Sequence, residues 1–427
     1  MHAHWSPALL LAAAISAQAP PASWLDSQSE ELLALYRALH QNPELSFQER
    51  ATSARMAEEL GRAGLEVTRN VGGLGVVGVL VNGAGRTGLL RADMDALPIA
   101  EQTGLPFASK VQGKAGDGQP IGVMHACGHD VHMATLVGAA RWFAAHKEQW
   151  SGTLVFVAQP AEERAGGMRA MVRDGLLTRF PRPEWALALH CDPMLPTGSV
   201  GLREGPLMAS VDSVDLRFFG KGGHGAMPHL TIDPIVLAAH FVLAAQTIVS
   251  REVDPVQPCV LTVGAIHGGT KHNIVPDHCD LQLTMRTYDE AVREQIKKAI
   301  VRMAEGLAET ARAPKPVVEF SEPTGPLVND DAIVRKARTA LQEALGAENV
   351  RTAAQQMVAE DFGQLTGAGV PLCMFRLGTI TKERLAMLVK EGKVPALHTG
   401  TYWPDAKAAI ETGVKVMVVA ARGLLTR

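Results

Sequence analysis

The stretch TLVFVAQPAEE, residues 153–163, runs from an unbroken apolar segment directly into two glutamates. A short apolar run of this kind is typical of a strand that is buried on both faces, as in a parallel sheet. Similar runs occupy residues 75–81, 87–97 and 186–190, and a helical pattern over residues 129–146 lies between two of them. This alternation of strands and helices predicts an α/β sheet.

The sequence pattern changes near residue 205. Residues 214–218 alternate apolar and polar side chains, and the predicted elements that follow complete the order β-α-β-β-α-β. That order is typical of a split βαβ unit, which forms a self-contained domain of about 100 residues. We therefore predict a discontinuous α/β domain formed by residues 23–204 and 321–427, with an α+β domain inserted at residues 205–320.

Composition narrows the class of protein. The chain has 427 residues, of which 47% are hydrophobic and 20% are charged, so it is expected to form a folded globular protein. A net charge of −3 argues against a nucleic-acid partner, because such proteins present a strongly basic face. Five scattered cysteines are too few for a disulfide scaffold.

The N-terminus resembles a secretory signal peptide. Residues 8–17 form a short apolar run, and residues 17–19 read AQA, a typical cleavage pattern, although no Lys or Arg precedes the run. We predict that residues 1–22 are a signal peptide and that the protein is periplasmic or secreted; without cleavage it would be cytoplasmic. The run is too short to cross a bilayer, which needs about 20 apolar residues, and we expect no membrane span.

The motif HACGHD, residues 125–130, concentrates groups that bind metals. Gly128 permits a tight turn, so Cys127 and His129 can point toward one centre while Asp130 caps the following helix. A thiolate and an imidazole suit a divalent transition metal. The alternatives are a capped turn with a buried thiol and a redox thiol, and the second lacks a nearby resolving cysteine.

Three further groups of candidate ligands follow apolar segments. Glu162 and Glu163 could divide the work, one binding metal and the other moving protons, or could form a solvated loop. His190 and His398, each taken alone, would more often be ordinary structural histidines. Because loops after parallel strands gather at one edge of a sheet, we expect these side chains to converge there.

One open zinc site uses three protein ligands, so the five candidates fit two metal ions that share a ligand: Cys127, His129, Glu163, His190 and His398. Such a pair could hold a hydroxide at neutral pH, with Glu162 as the base.

Two more regions offer polar side chains. In GKGGHGAMPH, residues 220–229, His224 could stabilise the oxyanion of a tetrahedral intermediate, or the loop could simply be a flexible surface segment. Asn273 and Arg286 could bind a substrate carboxylate, although Arg286 could equally be an exposed strand residue. Asp95, in RADMDALP, could orient a metal-bound histidine or belong to an ordinary turn.

Seven segments together resemble one known superfamily. They are RADMDALPI, MHACGHDVHMA, QPAEE, the histidine of ALHCDP, GKGGHGAMPH, GGTKHNIVPD and LHTGTYWPD. In this order they resemble the metal-dependent amidohydrolases of the aminoacylase and carboxypeptidase superfamily, specifically the branch of hippurate hydrolase, indoleacetyl-amino-acid hydrolase and N-acetyldiaminopimelate deacetylase. The likeness runs from about residue 30 to the C-terminus. It implies a zinc-peptidase-like catalytic sheet with helices on both faces, and an inserted lid that mediates homodimerisation.

The resemblance also implies residue roles and a cofactor. Two divalent ions, zinc, manganese or similar, are implied, with Cys127 as the bridging ligand. His129 and His190 would bind one ion, and Glu163 and His398 the other. By the same resemblance, Glu162 would be the general base and Asp95 would orient a metal ligand. His224 would be a lid histidine that reaches the partner's active site, and Asn273 and Arg286 would contact the substrate.

The function expected from these residues is amide hydrolysis of an N-acyl amino acid. A metal-bridged hydroxide would attack, and Glu162 would act as general base. The alternative enzyme is a metallo-carboxypeptidase or dipeptidase with the same binuclear site. A non-catalytic metal-binding protein is disfavoured, because it has no use for a general base. The segment TGTYWPD differs from its counterparts in hippurate and auxin-conjugate hydrolases, so the acyl group and the amino acid stay open.

Overall fold

The structure is a computed structural model that describes residues 19–114, 118–393 and 395–426. Most of the predicted signal peptide, residues 1–18, lies outside the described residues. The α-helices of the described residues are α1 (Ala22–Gln41), α2 (Arg50–Arg62), α3 (His129–Ala145), α4 (Gly167–Arg173), α5 (Pro234–Thr247), α6 (Glu290–Thr310), α7 (Asp331–Leu345), α8 (Gln364–Gly367), α9 (Lys382–Lys390) and α10 (Ala406–Leu425). Single helical turns of other types occur at Lys147–Gln149, Pro228–Leu230, Ile248–Glu252, Ala347–Asn349 and Asp361–Gly363.

The strands of the same residues are 2 to 12 residues long. They are β1 (Glu66–Val71), β2 (Gly75–Asn82), β3 (Thr87–Asp93), β4 (Gln112–Lys114), β5 (Pro120–Gly122), β6 (Gly152–Gln159), β7 (Trp185–Pro196), β8 (Val200–Leu202), β9 (Gly205–Met208), β10 (Val211–Phe219), β11 (Gly223–His224), β12 (Cys259–Gly268), β13 (Ile274–Val275), β14 (His278–Thr287), β15 (Val317–Thr324), β16 (Leu327–Asn329), β17 (Val350–Thr352) and β18 (Leu372–Ile380).

The large sheet has eight strands in the order β1-β2-β6-β3-β7-β18-β8-β17. Its centre is parallel, because β3 pairs in parallel with both β6 and β7, and β18 pairs in parallel with β7. Alternate residues of the central strands enter two separate cores: Leu90 and Phe156 pack on the face covered by α1, α3 and α10, and Leu89 and Val157 pack on the other face. Burial on both faces explains why these strands are apolar throughout.

The inserted domain, defined here as the four-stranded sheet with α5 and α6, is antiparallel. Its strand order is β12-β14-β10-β15, and the chain runs through it as β10-α5-β12-β14-α6-β15. One face of the sheet packs against both helices, with Phe218, Phe241 and Ile296 in a third core. The predicted α/β fold with an inserted α+β domain is confirmed.

One element boundary differs from the sequence-based prediction. Strand β7 continues beyond His190 to Pro196, because the register with β18 pairs Cys191 with Leu377 and extends further. This difference does not move His190 away from the sheet edge.

One helical stretch among the described residues, Pro234–Glu252, is long and apolar enough to cross a membrane by length and composition alone. Its mean hydropathy is 1.4, and a third of the stretch is buried inside the chain. The buried side includes Leu237 and Phe241, which pack on the inserted sheet, whereas Leu243 is 71% exposed. Criteria of length and composition are weak evidence for a span, since an apolar contact surface meets them too.

Candidate active site

The carboxyl ends of three neighbouring parallel strands form the floor of the site. Strand β3 ends at Asp93 and leads to Asp95, and β6 leads to Glu162 and Glu163. Strand β7 carries His190, while His129 is the first residue of α3. The topology of the sheet therefore places at one edge the polar residues that follow separate apolar segments in the sequence.

Several groups of three side chains offer metal ligands at this edge, and two of these groups share Cys127. One group is Cys127, His129 and His190, and the other is Cys127, Glu163 and His398; within each group the ligand atoms lie within 4.8 Å of one another. Cys127 belongs to both groups, with its Sγ 3.4 Å from His190 Nε2 and 3.3 Å from His398 Nε2. The five ligands predicted from the sequence thus lie side by side.

The chemistry of these side chains fits a divalent transition metal. His129 Nε2 and Glu163 Oε1 are buried and have no hydrogen-bond partner in the described part of the chain, which is uncommon for buried polar atoms in native proteins. Thiolate, imidazole and carboxylate are the ligands that such ions prefer. One cation in each group would satisfy these two atoms.

The pKa values of the ligands without metal indicate that metal binding releases protons. Burial, followed by the charge of Glu163, raises the pKa of the Cys127 thiol well above its ordinary value. Burial lowers the pKa of His129, but the charge of Asp93 and the contact with Asp95 outweigh it and raise that pKa to about 10. Because ligands bind as thiolate and neutral imidazole, metal affinity should rise with pH.

Asp95 organises the loop that carries both glutamates. Its carboxylate accepts hydrogen bonds from the backbone N–H of Glu162 (3.1 Å) and of Glu163 (3.0 Å), and from the Ser46 hydroxyl (2.6 Å). Its backbone carbonyl accepts from His129 Nδ1 at 2.7 Å, which leaves His129 Nε2 directed to the ligand group. Asp95 was predicted to orient a histidine, and the structure places it where it positions three site residues.

The backbone around the ligands has strained conformations. Ala161 (φ 50°) and Ala165 (φ 49°) flank the glutamates, and His398 itself has φ 58°. Such residues cost about 1–3 kcal/mol each and persist only where surrounding contacts hold them. Here the Ala161 N–H donates to Glu49 Oε1 (2.7 Å) and the His398 N–H donates to the Ala126 carbonyl (2.9 Å).

A buried charged layer that sequence reasoning missed lies beneath the site. The Arg91 guanidinium donates to Asp93 (2.7 Å) and to Glu360 (2.8 Å), and Asp361 accepts from Met168 N–H (3.0 Å). Arg91 is fully buried in an otherwise apolar strand, and a charge in such a strand is a signal that requires buried partners. The partner positions themselves give no local sequence signal.

This layer affects Glu162. Carboxylate oxygens of Asp93, Glu162 and Glu360 lie within 4.8 Å of one another. Burial, followed by repulsion from Glu360 and Glu163, raises the pKa of Glu162 well above its ordinary value. A carboxyl group with a raised pKa can both accept and donate a proton near neutral pH.

Two buried histidines support the HACGHD segment. His132 Nδ1 contacts Asp93 Oδ1 (2.6 Å), and His132 Nε2 accepts from the Cys191 N–H (2.9 Å). His40 contacts Asp130 at 2.7 Å and Glu101 at 3.1 Å. The prediction that Asp130 caps α3 is wrong, since its carboxylate binds His40 and the N-cap position is taken by Gly128.

Gly128 has φ 84°, a left-handed conformation. A Cβ atom at this position would lie 2.7 Å from Cys191 Sγ. Only glycine avoids both the strained conformation and the collision, so Gly128 permits the turn that brings Cys127 and His129 together.

The candidate residues of the inserted domain divide into two groups. Arg286 lines a cavity of about 500 Å³ together with Glu162, Glu163 and His398. His224 and Asn273 lie beside each other, with the Asn273 carbonyl accepting from Gly225 N–H (2.9 Å), but both are exposed. Neither is among the residues that line the two cavities at Glu162 in the described part of this single chain.

Comparison with known families identifies the chain. A family model described as peptidase family M20/M25/M40 matches residues 89–418. This chain is a member of peptidase family M20/M25/M40. The family predicted from the seven segments is therefore confirmed.

Three similar proteins illustrate the family. The chain is 39% identical to the N-acetyl-L-cysteine deacetylase of Bacillus subtilis (strain 168), over 75% of this chain and 74% of the relative. It is 37% identical to thermostable carboxypeptidase 2 of Saccharolobus solfataricus, over 83% of this chain and 87% of the relative. A Bacillus subtilis structure described as a dinuclear metal-binding M20 peptidase superimposes with a TM-score of 0.77 at 30% identity, covering 94% of this chain and 99% of that one.

Proposed function

We propose that this M20 chain is a binuclear metal-dependent amidohydrolase that cleaves the amide bond of N-acyl amino acids. The observation that carries the proposal is that Cys127 belongs to two ligand groups at once, each completed by two further ligands. The relative described as a deacetylase and the neighbour described as a dinuclear metal-binding peptidase support it.

The ligands divide between two ions. His129 and His190 would hold one cation, Glu163 and His398 the other, and Cys127 would contact both. Divalent cations supply Lewis-acid polarisation of a carbonyl and lower the pKa of water toward neutrality. Zinc and manganese both suit these ligands, and reconstitution of the purified protein with each ion would identify the one that supports turnover.

Glu162 is the group that moves protons. Its carboxylate is buried beside both ligand groups, with Oε2 at 3.9 Å from His129 Nε2. Glu162 accepts a proton from the attacking water and delivers it to the leaving nitrogen, so one residue serves both steps. Asp95 keeps Glu162 in place through the hydrogen bond to its backbone N–H.

Arg286 is placed to recognise the carboxylate of the amino acid. It lines the same cavity as Glu162, and a guanidinium presents forked donors that match a carboxylate. His224 and Asn273 would act on a substrate bound to a second copy of the chain, where His224 stabilises the oxyanion. Their exposure and their absence from this chain's own site cavities support an action across a dimer.

A homodimer through the inserted domain would cover an apolar surface. Strand β12 lies at the edge of its sheet, and Val236 (50% exposed), Leu243 (71%) and Ile266 (47%) are on α5 and β12. An exposed apolar patch next to a strand edge is typical of a protein contact. This proposal assigns the apolar stretch Pro234–Glu252 to the dimer contact rather than to a membrane.

A second candidate function is cleavage of peptides from their C-terminus. The observation in its favour is the similarity, over most of both chains, to a relative described as a carboxypeptidase. Both functions use the same metal ligands and the same base. They differ only in whether the acyl side of the scissile bond is a simple acid or a peptide.

The deciding experiment is a substrate panel on metal-reconstituted protein. N-acetyl and N-benzoyl amino acids would be compared with dipeptides and with peptides blocked at the N-terminus. The proposal expects higher kcat/KM on the N-acyl amino acids. Preference for the peptides would replace it with the second candidate, and no turnover on any member would contradict both.

Export is a further proposal, supported by the apolar run at residues 8–17 and the AQA sequence after it. Fractionation of a cell that expresses the full chain, with N-terminal sequencing of the product, would test it. A product that begins near residue 20 outside the cytoplasm is expected. An intact N-terminus in the cytoplasm would contradict it.

A further inference from the structure

A second cavity opens beside the one that contains Arg286. It has a volume of about 590 Å³ and shares Glu162, Glu163 and His398 with its neighbour. Its apolar walls include Met194 and Leu397, which line this cavity alone, and Val358, which lines both cavities. An amide bond held at Glu162 therefore has room for one substituent in each cavity.

Arg376 is a basic residue of this second cavity that the mechanism above does not use. It lies on β18 directly opposite His190 in register, and only 3% of its surface is exposed. Its Nε donates to Asp192 Oδ2 at 3.3 Å, while the other oxygen of that carboxylate accepts from Met194 N–H. Arg376 Nη1 is buried and has no hydrogen-bond partner among the residues that the structure describes.

A buried donor of this kind normally has an acceptor. Leaving one unpaired costs about 1–3 kcal/mol, and more when the donor is charged. The long contact with Asp192 involves only one of the five N–H groups of the guanidinium. The described side chains supply no acceptor to Nη1, so a ligand in the cavity is the remaining source.

We propose that Arg376 is a specificity-determining residue that binds an oxygen acceptor at the far end of the substrate's acyl group. This inference rests on the proposed function, because it places the scissile amide at Glu162 and the amino-acid carboxylate at Arg286. The apolar walls would contact the methylene stem of the acyl chain, and Arg376 would hydrogen-bond a terminal carboxylate or carboxamide. The chemical class is thus the monoamide of a short dicarboxylic acid with an amino acid.

Three substrates with the same amino acid and a four-carbon acyl chain test the proposal: its N-succinyl, N-succinamoyl and N-butyryl derivatives. A hydrogen bond to a charged donor is worth about 1.5–3 kcal/mol, so kcat/KM should favour at least one of the two acceptor-bearing chains over butyryl by about 10- to 100-fold. The succinyl and succinamoyl arms distinguish an anionic from a neutral acceptor. Substitution Arg376→Met should bring the ratio of kcat/KM between the acceptor-bearing and the butyryl substrates close to one.

Folding must be controlled, because Arg376→Met leaves the Asp192 carboxylate without its partner. The double variant Arg376→Met with Asp192→Asn removes both charges, and Arg376→Lys keeps the charge without the fork. The double variant should also lose the preference. Equal loss of kcat/KM on all three substrates in the folded double variant would mean a structural role and would overturn the proposal.

Two further outcomes would also overturn it. If Arg376→Met instead abolishes discrimination between an N-butyryl amino acid and its α-carboxamide, Arg376 binds the amino-acid carboxylate. If the unmodified enzyme hydrolyses N-butyryl substrates as fast as the acceptor-bearing ones, the inference fails while the proposed function survives. Failure to hydrolyse any N-acyl amino acid would refute the proposed function and this inference with it.

Discussion

Two histidine-containing segments of this chain, residues 125–130 and residues 220–229, look similar as sequences but differ in the structure. In the first, His129 is fully buried, its Nδ1 contacts the Asp95 carbonyl, and its neighbours are held by strands of the large sheet. In the second, His224 is exposed and its Nδ1 accepts a hydrogen bond from the Ala226 N–H at 3.0 Å. The first segment is fixed by its own chain, whereas the second presents its histidine outward.

The difference indicates which part of the active site one chain forms by itself and which part needs a second chain. A histidine that is oriented by a buried contact is prepared for one position and one protonation state. An exposed histidine on a glycine-rich loop gains a fixed position only when another surface meets it. We therefore expect a substitution in the buried segment to abolish the activity of the chain that carries it. A substitution in the exposed segment should be complemented by the intact segment of a second chain.

The largest effect is expected for Glu162→Gln. General acid–base catalysis contributes about 100- to 10,000-fold, so turnover should fall by that factor while metal content stays the same. Kinetics combined with elemental analysis would measure both. The matched variant is Glu163→Gln at the next position, which should lose metal as well as activity. Near-normal rates in Glu162→Gln would show that Glu162 is not the general base.

The contacts that support the two segments should contribute different amounts to the free energy of unfolding. His40→Ala leaves Asp130 and Glu101 buried without their cation, which should lower the free energy of unfolding by about 3–5 kcal/mol. The matched change in the exposed loop is Asp277→Ala, which removes the hydrogen bond from Gly222 N–H and should cost a small fraction of that. Denaturant titration compares the two, and equal losses would contradict the contrast.

The same pair predicts a pH dependence. Hydrogen bonds and charges of Asp130 and Glu101 outweigh burial and raise the pKa of His40 to about 10. A raised pKa means that this stabilisation is fully present below pH 6.5 and is lost as the pH rises through about 10. The stability gap between the unmodified protein and His40→Ala should therefore narrow between pH 6.5 and 10. A constant gap over that range would show that His40 is not the titrating group.

The next effect concerns His224. Removal of an oxyanion donor costs about 100- to 1000-fold in kcat, so His224→Ala should be nearly inactive. Mixing it with Glu162→Gln should restore about a quarter of the activity if each site of a symmetric dimer takes its histidine from the other chain. An action within one chain predicts no recovery. A monomer by sedimentation would also contradict the dimer.

A smaller effect is expected for Asp95→Asn. Residues that orient metal ligands typically contribute about 10- to 100-fold in metal affinity or activity. The change keeps the size of the side chain but weakens acceptance from the backbone N–H groups of Glu162 and Glu163. Ser46→Ala, which removes a single contact to the same carboxylate, should have a weaker effect. Metal titration would rank the two variants, and the reverse order would contradict the assigned role.

The sequence was sufficient where local pattern decides structure. Continuous apolar runs predicted β3, β6 and the start of β7, and the rule that parallel strands end at one edge brought Asp95, Glu162 and His190 together. Contrary to the expectation from the sequence, His398 does not follow a strand but lies in a loop after α9; its contact with Cys127, 271 positions away, depends on the tertiary fold.

The sequence was insufficient where partners are set by tertiary register. Glu360 pairs with Arg91 across 269 positions, and Asp130 binds His40 across 90, and no local pattern encodes either pairing.

We expect five side chains to hold two cations side by side, with Cys127 between them. Crystals grown or soaked with zinc or manganese and measured at the absorption edge of the metal would test this arrangement. Two anomalous peaks per chain are expected, about 3.5–4 Å apart, one beside His129 and His190 and one beside Glu163 and His398. A single peak, or two peaks that do not share Cys127, would contradict it.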